Sequence, residues 1–237
     1  MEVVPSRVLN LLYVVLDIGF LVFLAGVLLA CKRYAAALFG VFGGLLYFLV
    51  DYGGFYLLLG TRTVEGADPF WFLLWLSMSY GFTNFAWIWL WLDRDGRTLE
   101  WSLLIPAGWL AVSLLSQNFG AEFPVIRIAR GTGGYHGMMA LILFVGYAIL
   151  ILHNLREPDK EKRYPIPWIL AIGVLVQFSW EFILLITGIR AQGIAPLIVN
   201  SLLETNLGLP YIYFIHRAFT RRRGEDLHPV ARTEPAA

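Results

Sequence analysis

The sequence predicts an all-α, polytopic membrane protein with seven transmembrane helices in a three-plus-one-plus-three parallel pseudo-repeat. Three observations predict it. The 237-residue chain is 58% hydrophobic, far above a soluble domain, and its apolar residues gather into seven runs long enough for a hydrocarbon core of about 30 Å. Basic residues are shared unequally between alternate connections. Two pairs of runs also read as copies of each other, and both copies carry carboxylates.

The runs are 9–30, 34–60, 69–92, 101–117, 135–153, 166–189 and 195–216. The first lacks a basic leader and a small-residue cleavage site, so it reads as a retained helix rather than a signal peptide. The fourth is the shortest, and 118–134 reads as a loop or a re-entrant piece. A charged connector, 157–163, joins the fifth and sixth. Pro210 removes the hydrogen bond that would reach the Asn206 carbonyl, so a kink is expected in the seventh. Residues 1–220 then form one membrane domain. Residues 221–237 open with Arg221-Arg222-Arg223 and stay polar, which predicts a disordered tail whose arginines anchor at headgroups.

With the amino terminus outside, the inner connections hold Lys32, Arg33, Arg94, Arg97, Arg156, Lys160, Lys162, Arg163, Arg217 and Arg221–Arg223. The outer ones hold Arg7, Arg62, Arg127, Arg130 and Arg190. Twelve against five favours an outside amino terminus and a cytoplasmic carboxyl terminus. Seven crossings require the same.

The repeat aligns Asp51-Tyr52-Gly53-Gly54-Phe55-Tyr56-Leu57-Leu58-Leu59-Gly60-Thr61-Arg62 with Trp180-Glu181-Phe182-Ile183-Leu184-Leu185-Ile186-Thr187-Gly188-Ile189-Arg190. In each, an acid precedes an apolar stretch, then a glycine, then an arginine. The next runs align Ser79–Asn84 with Ser201–Asn206, and end in Arg94 and Arg217. An acid in hydrocarbon costs roughly 2.5–3.5 kcal/mol even on lenient scales, so acids at matched places mark a site. Asp51, Glu181 and Glu204 all fall in the outer half of the bilayer. Asn84, Asn206 and Asp17 lie nearer mid-depth. At helical spacing, Tyr47, Asp51 and Gly54 share a face, as do Ser77, Tyr80, Gly81, Asn84 and Trp87. So do Gln177, Glu181, Leu184 and Gly188, and likewise Asn200, Glu204, Gly208 and Tyr211. Asn206 is off that last face and reaches it only through the kink.

No run contains a lysine, so the acids have no evident cationic partner. In a dry pocket the charged form of a carboxyl is disfavoured, and a neutral carboxylic acid can donate a proton. The ordinary alternative is that each acid is hydrogen-bonded and joins helices, which fits Asp17 best. The nine Trp, eleven Tyr and seventeen Phe crowd the same levels. Aromatic faces stabilise cations without acting as bases, although interfacial belts and packing use many of them. The chain has no HExxH, no Cys or His set at ligand spacing and no phosphate loop, and Asp93-x-Asp95 reads as a turn. A retinal-type pigment is excluded by the absence of a Schiff-base lysine. No cofactor, metal or nucleic-acid partner is expected.

At Trp180-Glu181-Phe182 the chain resembles the small integral-membrane terpene cyclases of fungal meroterpenoid and indole-diterpene pathways and their bacterial relatives. That resemblance implies seven helices and a metal-independent enzyme that protonates an epoxide or alkene of a linear polyprenyl substrate. In that family the motif belongs to an early helix; here it stands in the sixth, and Asp51 occupies the early place. The resemblance implies Glu181 as proton donor, with Asp51 or Glu204 as the second acid. Trp180, Tyr52, Tyr80 and Trp87 would shield the cation. Gln177, Asn84, Asn200, Asn206 and Tyr211 would line the pocket or position a polar head. The substrate would enter from the lipid. A small transporter, or a lipid- or sterol-binding protein related to sterol isomerases, stays open, with the acids as coupling or ligand sites and Gly60, Gly188, Gly208 and Pro210 as hinges.

Overall fold

The computed structural model describes residues 6–130, 135–190 and 194–227. The regular elements among the described residues are eight α-helices, one π-helical segment, a short 3-10 helix at Lys160–Lys162 and one small sheet. In chain order they are β1 Ser6–Asn10, α1 Leu11–Ala30, α2 Tyr34–Phe48 with a π-helical continuation Leu49–Leu58, β2 Arg62–Glu65 and α3 Pro69–Leu92. Then follow α4 Thr98–Phe119, β3 Val125–Arg130, α5 His136–Arg156, α6 Ile166–Ile186, α7 Ile194–Leu203 and α8 Leu209–Leu227. Among the described residues, five helices are long and apolar enough to cross a membrane: Leu11–Ala30, Tyr34–Leu58, Thr98–Phe119, His136–Arg156 and Lys160–Ile186.

Local chemistry sets the helix starts. Asn10 caps α1 by accepting from the Tyr13 amide at 2.9 Å, and Asp68 caps α3 by accepting from Trp71 at 3.1 Å, with Pro69 in the first turn. α3 lies at the centre. From Phe72 onward most of its side chains are buried, and Gly81 lets its backbone touch α2, where a Cβ would lie 2.6 Å from the Gly44 Cα. Around it, large apolar side chains such as Val22, Phe42, Leu58 and Phe144 face outward, as a hydrocarbon surrounding permits.

Three expectations are corrected. The fold is mostly helical, as expected, but not purely so: β1, β3 and β2 form a small antiparallel sheet in that order. Strands of four to six residues containing arginine carry little pattern, and β3 falls in the stretch read as a loop or re-entrant piece. The seventh run is broken rather than kinked, because hydrogen-bonded turns at 204–208 separate α7 from α8. Pro210 would remove a hydrogen bond in mid-helix but fits the first turn of a new one. The first part of the tail is helical, since α8 continues to Leu227; residues 228–237 lie outside the described residues.

The sheet covers one end of the bundle. β1 leads into α1, β2 joins the π-helical segment to α3, and β3 joins α4 to α5. The Val8 amide also donates to the Ile189 carbonyl beyond α6. At the opposite end Arg33 pairs with Asp95, and His216 meets Asp93 at 2.6 Å. Asp95 also accepts from the Arg97 amide at 2.8 Å and Trp101 Nε1 at 3.2 Å, so Asp93-x-Asp95 is a structural turn.

Candidate functional site

Strand alternation delivers arginines into the bundle. In β1 Arg7 and Leu9 are buried while Val8 is exposed. In β3 Ile126 and Ile128 are buried, which puts Arg130 on the same face. The register sets Arg62 of β2 directly opposite Arg130, and Arg7 opposite Ile128. One sheet face therefore aims three guanidiniums at the helix ends.

Helix ends supply the acids and a fourth guanidinium. Asp51, in the first turn of the π-helical segment, is buried. One of its oxygens takes Arg62 Nη2 at 2.5 Å and the other accepts from Tyr80 OH at 2.6 Å. Glu181 is buried in α6, where it pairs with Arg190 and lies 3.8 Å from Arg7 Nη2. Both pairs use one backbone device: a glycine in the left-handed region ends the helix, and the chain doubles back to lay an arginine on the acid. Gly60 has φ +60° and Gly188 φ +69°, conformations that only glycine adopts cheaply. An i→i+5 turn takes about one residue more than an α turn. That is why Asp51 to Gly60 needs two residues more than Glu181 to Gly188 to cover about two turns.

Gln177 links the two acidic helices. Its amide donates to Glu204 at 2.9 Å and to Glu181 at 3.3 Å, and its oxygen accepts from Thr205. Glu204 stands at the start of the broken turn. Among the described residues, no guanidinium lies within ion-pair distance of it.

These groups end a cavity of about 570 Å³. Its polar end holds Arg7, Arg62, Arg130, Asp51, Glu204 and Gln177. Away from them it follows one stripe of α2, Phe39, Phe42, Leu46 and Val50, and one of α8, Tyr211, Ile212 and Ile215. From Phe39 to Asp51 the stripe runs on the order of 18 Å. Phe42, Leu46, Val50 and Ile215 are exposed on the flank, so the cavity opens sideways between α2 and α8.

Charge at the polar end is unequal, with four guanidiniums facing three carboxylates. Burial pushes Arg7, Arg62 and Arg190 down to about 10, so all remain cationic at neutral pH. For Arg130 burial acts in the same direction but is outweighed by Asp51 and Glu204, which hold it above the ordinary arginine value. The expectation that the acids lack cationic partners is thus overturned. The partners come from the connecting segments, not from the helices.

The sequence-predicted residues divide cleanly. Asp51, Glu204, Trp180, Tyr80, Gln177 and Tyr211 line the cavity. Glu181 lies behind it, between Arg190, Arg7 and Gln177. Asn200, with its carboxamide oxygen turned towards the guanidinium, accepts from Arg190 at 2.7 and 3.0 Å. Asn206 accepts from Tyr147 OH at 2.8 Å and packs on Gly173, so the break does not carry it inward. Tyr52 stacks on Phe48 and Tyr56 beside the cavity. Trp87 donates to Ser102 and borders a separate 300 Å³ space. Asn84 is buried without a hydrogen-bond partner and does not reach the cavity lining. Asp17 accepts from Trp75 Nε1 at 3.0 Å, a helix-joining bond. The sequence reading missed Arg7, Arg62 and Arg130 as site residues. The usable signal was the arginine that closes each repeat copy. Comparison with protein-family models, curated proteins and solved structures finds no match.

Proposed function

We propose that this protein is an integral-membrane enzyme that takes a prenyl-type amphiphile sideways from the bilayer and performs metal-independent acid–base chemistry on it, of the terpene-cyclase kind. In this reading α3 and the broken α7–α8 pair complete seven crossings, the two acid–glycine–arginine returns are relics of a parallel repeat, and the sheet faces outside. The observation that carries the proposal is a lipid-facing, aromatic-walled cavity ending at a carboxyl group, Glu204, with no ion-pair partner among the described residues. Asp51 and Glu181 are each already engaged by a guanidinium in a closed ion pair. Glu204 is therefore the proton-transferring group. Gln177 orients it, and Tyr47, Tyr80 and Phe85 supply ring faces for developing positive charge.

The test is incubation of the purified protein with linear prenyl substrates and their epoxides, followed by mass spectrometry of the products. Wild-type protein should convert one class. Glu204→Gln should lower turnover at least a hundredfold, the usual scale for a lost proton-transfer group, while the protein stays folded. Unchanged turnover in that variant rejects the assignment. A lipid-binding or transport role is favoured by one observation: two of the three acids sit in closed ion pairs. Stoichiometric binding of prenyl compounds without conversion would select it.

A further inference from the structure

We infer that Arg7, Arg62 and Arg130 form a receptor for the oxyanion head of an amphiphile whose tail lies in the α2–α8 channel. The inference rests on reading the cavity as the site of a molecule drawn from the bilayer, and it adds the chemistry of the head. Arg62 and Arg130 face each other across the register. Like charges directly opposite in a sheet repel unless a counter-charge joins them. Asp51 and Glu204 both act on Arg130 through space, but Asp51 makes an ion pair with Arg62 alone and both its oxygens are already occupied, by Arg62 and Tyr80. Glu181 is taken by Arg190 and Arg7.

What remains are donors without acceptors. Arg7 Nη1, Arg62 Nε and Nη1, and Arg130 Nε are buried and have no hydrogen-bond partner. Arg7 and Arg62 are only 4% and 3% exposed, and all three side chains border the cavity. A buried guanidinium with idle N–H groups is costly until an acceptor arrives, and its planar fork matches phosphate or carboxylate oxygens. The excess of one positive charge at this end asks for an anion. The apolar channel beyond asks for that anion to carry a tail. A phosphate and a carboxylate share the needed chemistry.

The test uses the full chain in phosphatidylcholine nanodiscs and three ligands of one prenyl length: the alcohol, its monophosphate and the matching carboxylic acid. Affinities are measured by titration calorimetry, without regard to turnover. At least one of the two oxyanion-headed ligands should bind tenfold or more tighter than the alcohol, and the tighter one identifies the head. Arg7→Gln and Arg130→Gln should each weaken that ligand tenfold or more, leave the alcohol within twofold, and keep a cooperative melt. Arg7→Lys, which retains charge without the fork, should fall between. Equal affinity for all three heads overturns the inference, as does equal loss of alcohol and oxyanion binding in the variants. If the preference holds but no ligand is converted, the enzyme reading fails and this one stands. If none of the three binds, both fail.

Discussion

At the residue scale the three acids, alike in sequence, are different groups in the fold. Glu181 is a buried carboxylate serving two guanidiniums and contributes to the framework. Glu204 faces the cavity, accepts from the Gln177 amide and, among the described residues, has no guanidinium within ion-pair distance. Removing one member of a buried ion pair costs about 3–5 kcal/mol, because its partner is left charged in a dry place. Glu181→Gln should therefore cost stability on that scale, seen as a large drop in melting temperature and in the yield of folded protein. Glu181→Gln with Arg190→Gln should recover part of it, since the remaining amides can bond each other. If Glu181→Gln instead melts like wild type while losing turnover, Glu181 rather than Glu204 is the proton donor. The acids were legible in the sequence because a carboxyl group in an apolar run is expensive. Their division of labour was not, because it depends on arginines that lie nine and eleven positions downstream and return only through a turn.

At the element scale the turn is the decisive device. Gly60 and Gly188 have open space where a Cβ would go, so alanine there costs backbone strain alone. That strain is about 1–2 kcal/mol for a left-handed residue. Gly188→Ala should lower stability by that amount, and Gly188→Asn by less, because asparagine tolerates the region better. Melting curves of the two variants check the order. Gly81 is the contrasting glycine: its Cβ would strike the α2 backbone at Gly44, which cannot move aside locally. Gly81→Ala should separate α2 from α3, cost about 1–3 kcal/mol by overpacking, and loosen the Tyr80–Asp51 bond. Helix positions were readable because a bilayer-length apolar run has few other uses. The sheet was not, because its strands are short and their inward arginines look like ordinary loop charges. Pro210 pointed to the right place in the seventh run, and the break is the fuller expression of the same missing hydrogen bond.

At the scale of the whole molecule, the buried arginines sharpen the orientation argument. Of the five arginines counted on the sheet side, Arg7, Arg62 and Arg190 are buried and Arg130 is half-buried, with carboxylates close by. Arg127, on the outward face of β3, is the one left exposed there among the described residues. At the other end Lys32, Lys160, Arg163 and Arg217 are exposed. The cationic charge free to meet headgroups is thus more one-sided than the sequence count, and in the proposed membrane reading the positive-inside rule would put the sheet outside. Two exposed positions report on this: Thr63 on β2, and Gly96 in the turn between α3 and α4, where a side chain meets nothing within 4 Å. In a Cys31→Ser background, a membrane-impermeant maleimide should label Thr63→Cys in intact cells. Gly96→Cys should be labelled only after the membrane is opened. The reverse pattern would invert the protein and turn the proposed head site towards the cytoplasm. Labelling of both variants in intact cells would mean that the two ends are not on opposite sides of a bilayer at all. The expected pattern would leave the Arg7–Arg62–Arg130 cluster and Glu204 together at the outer end of the cavity.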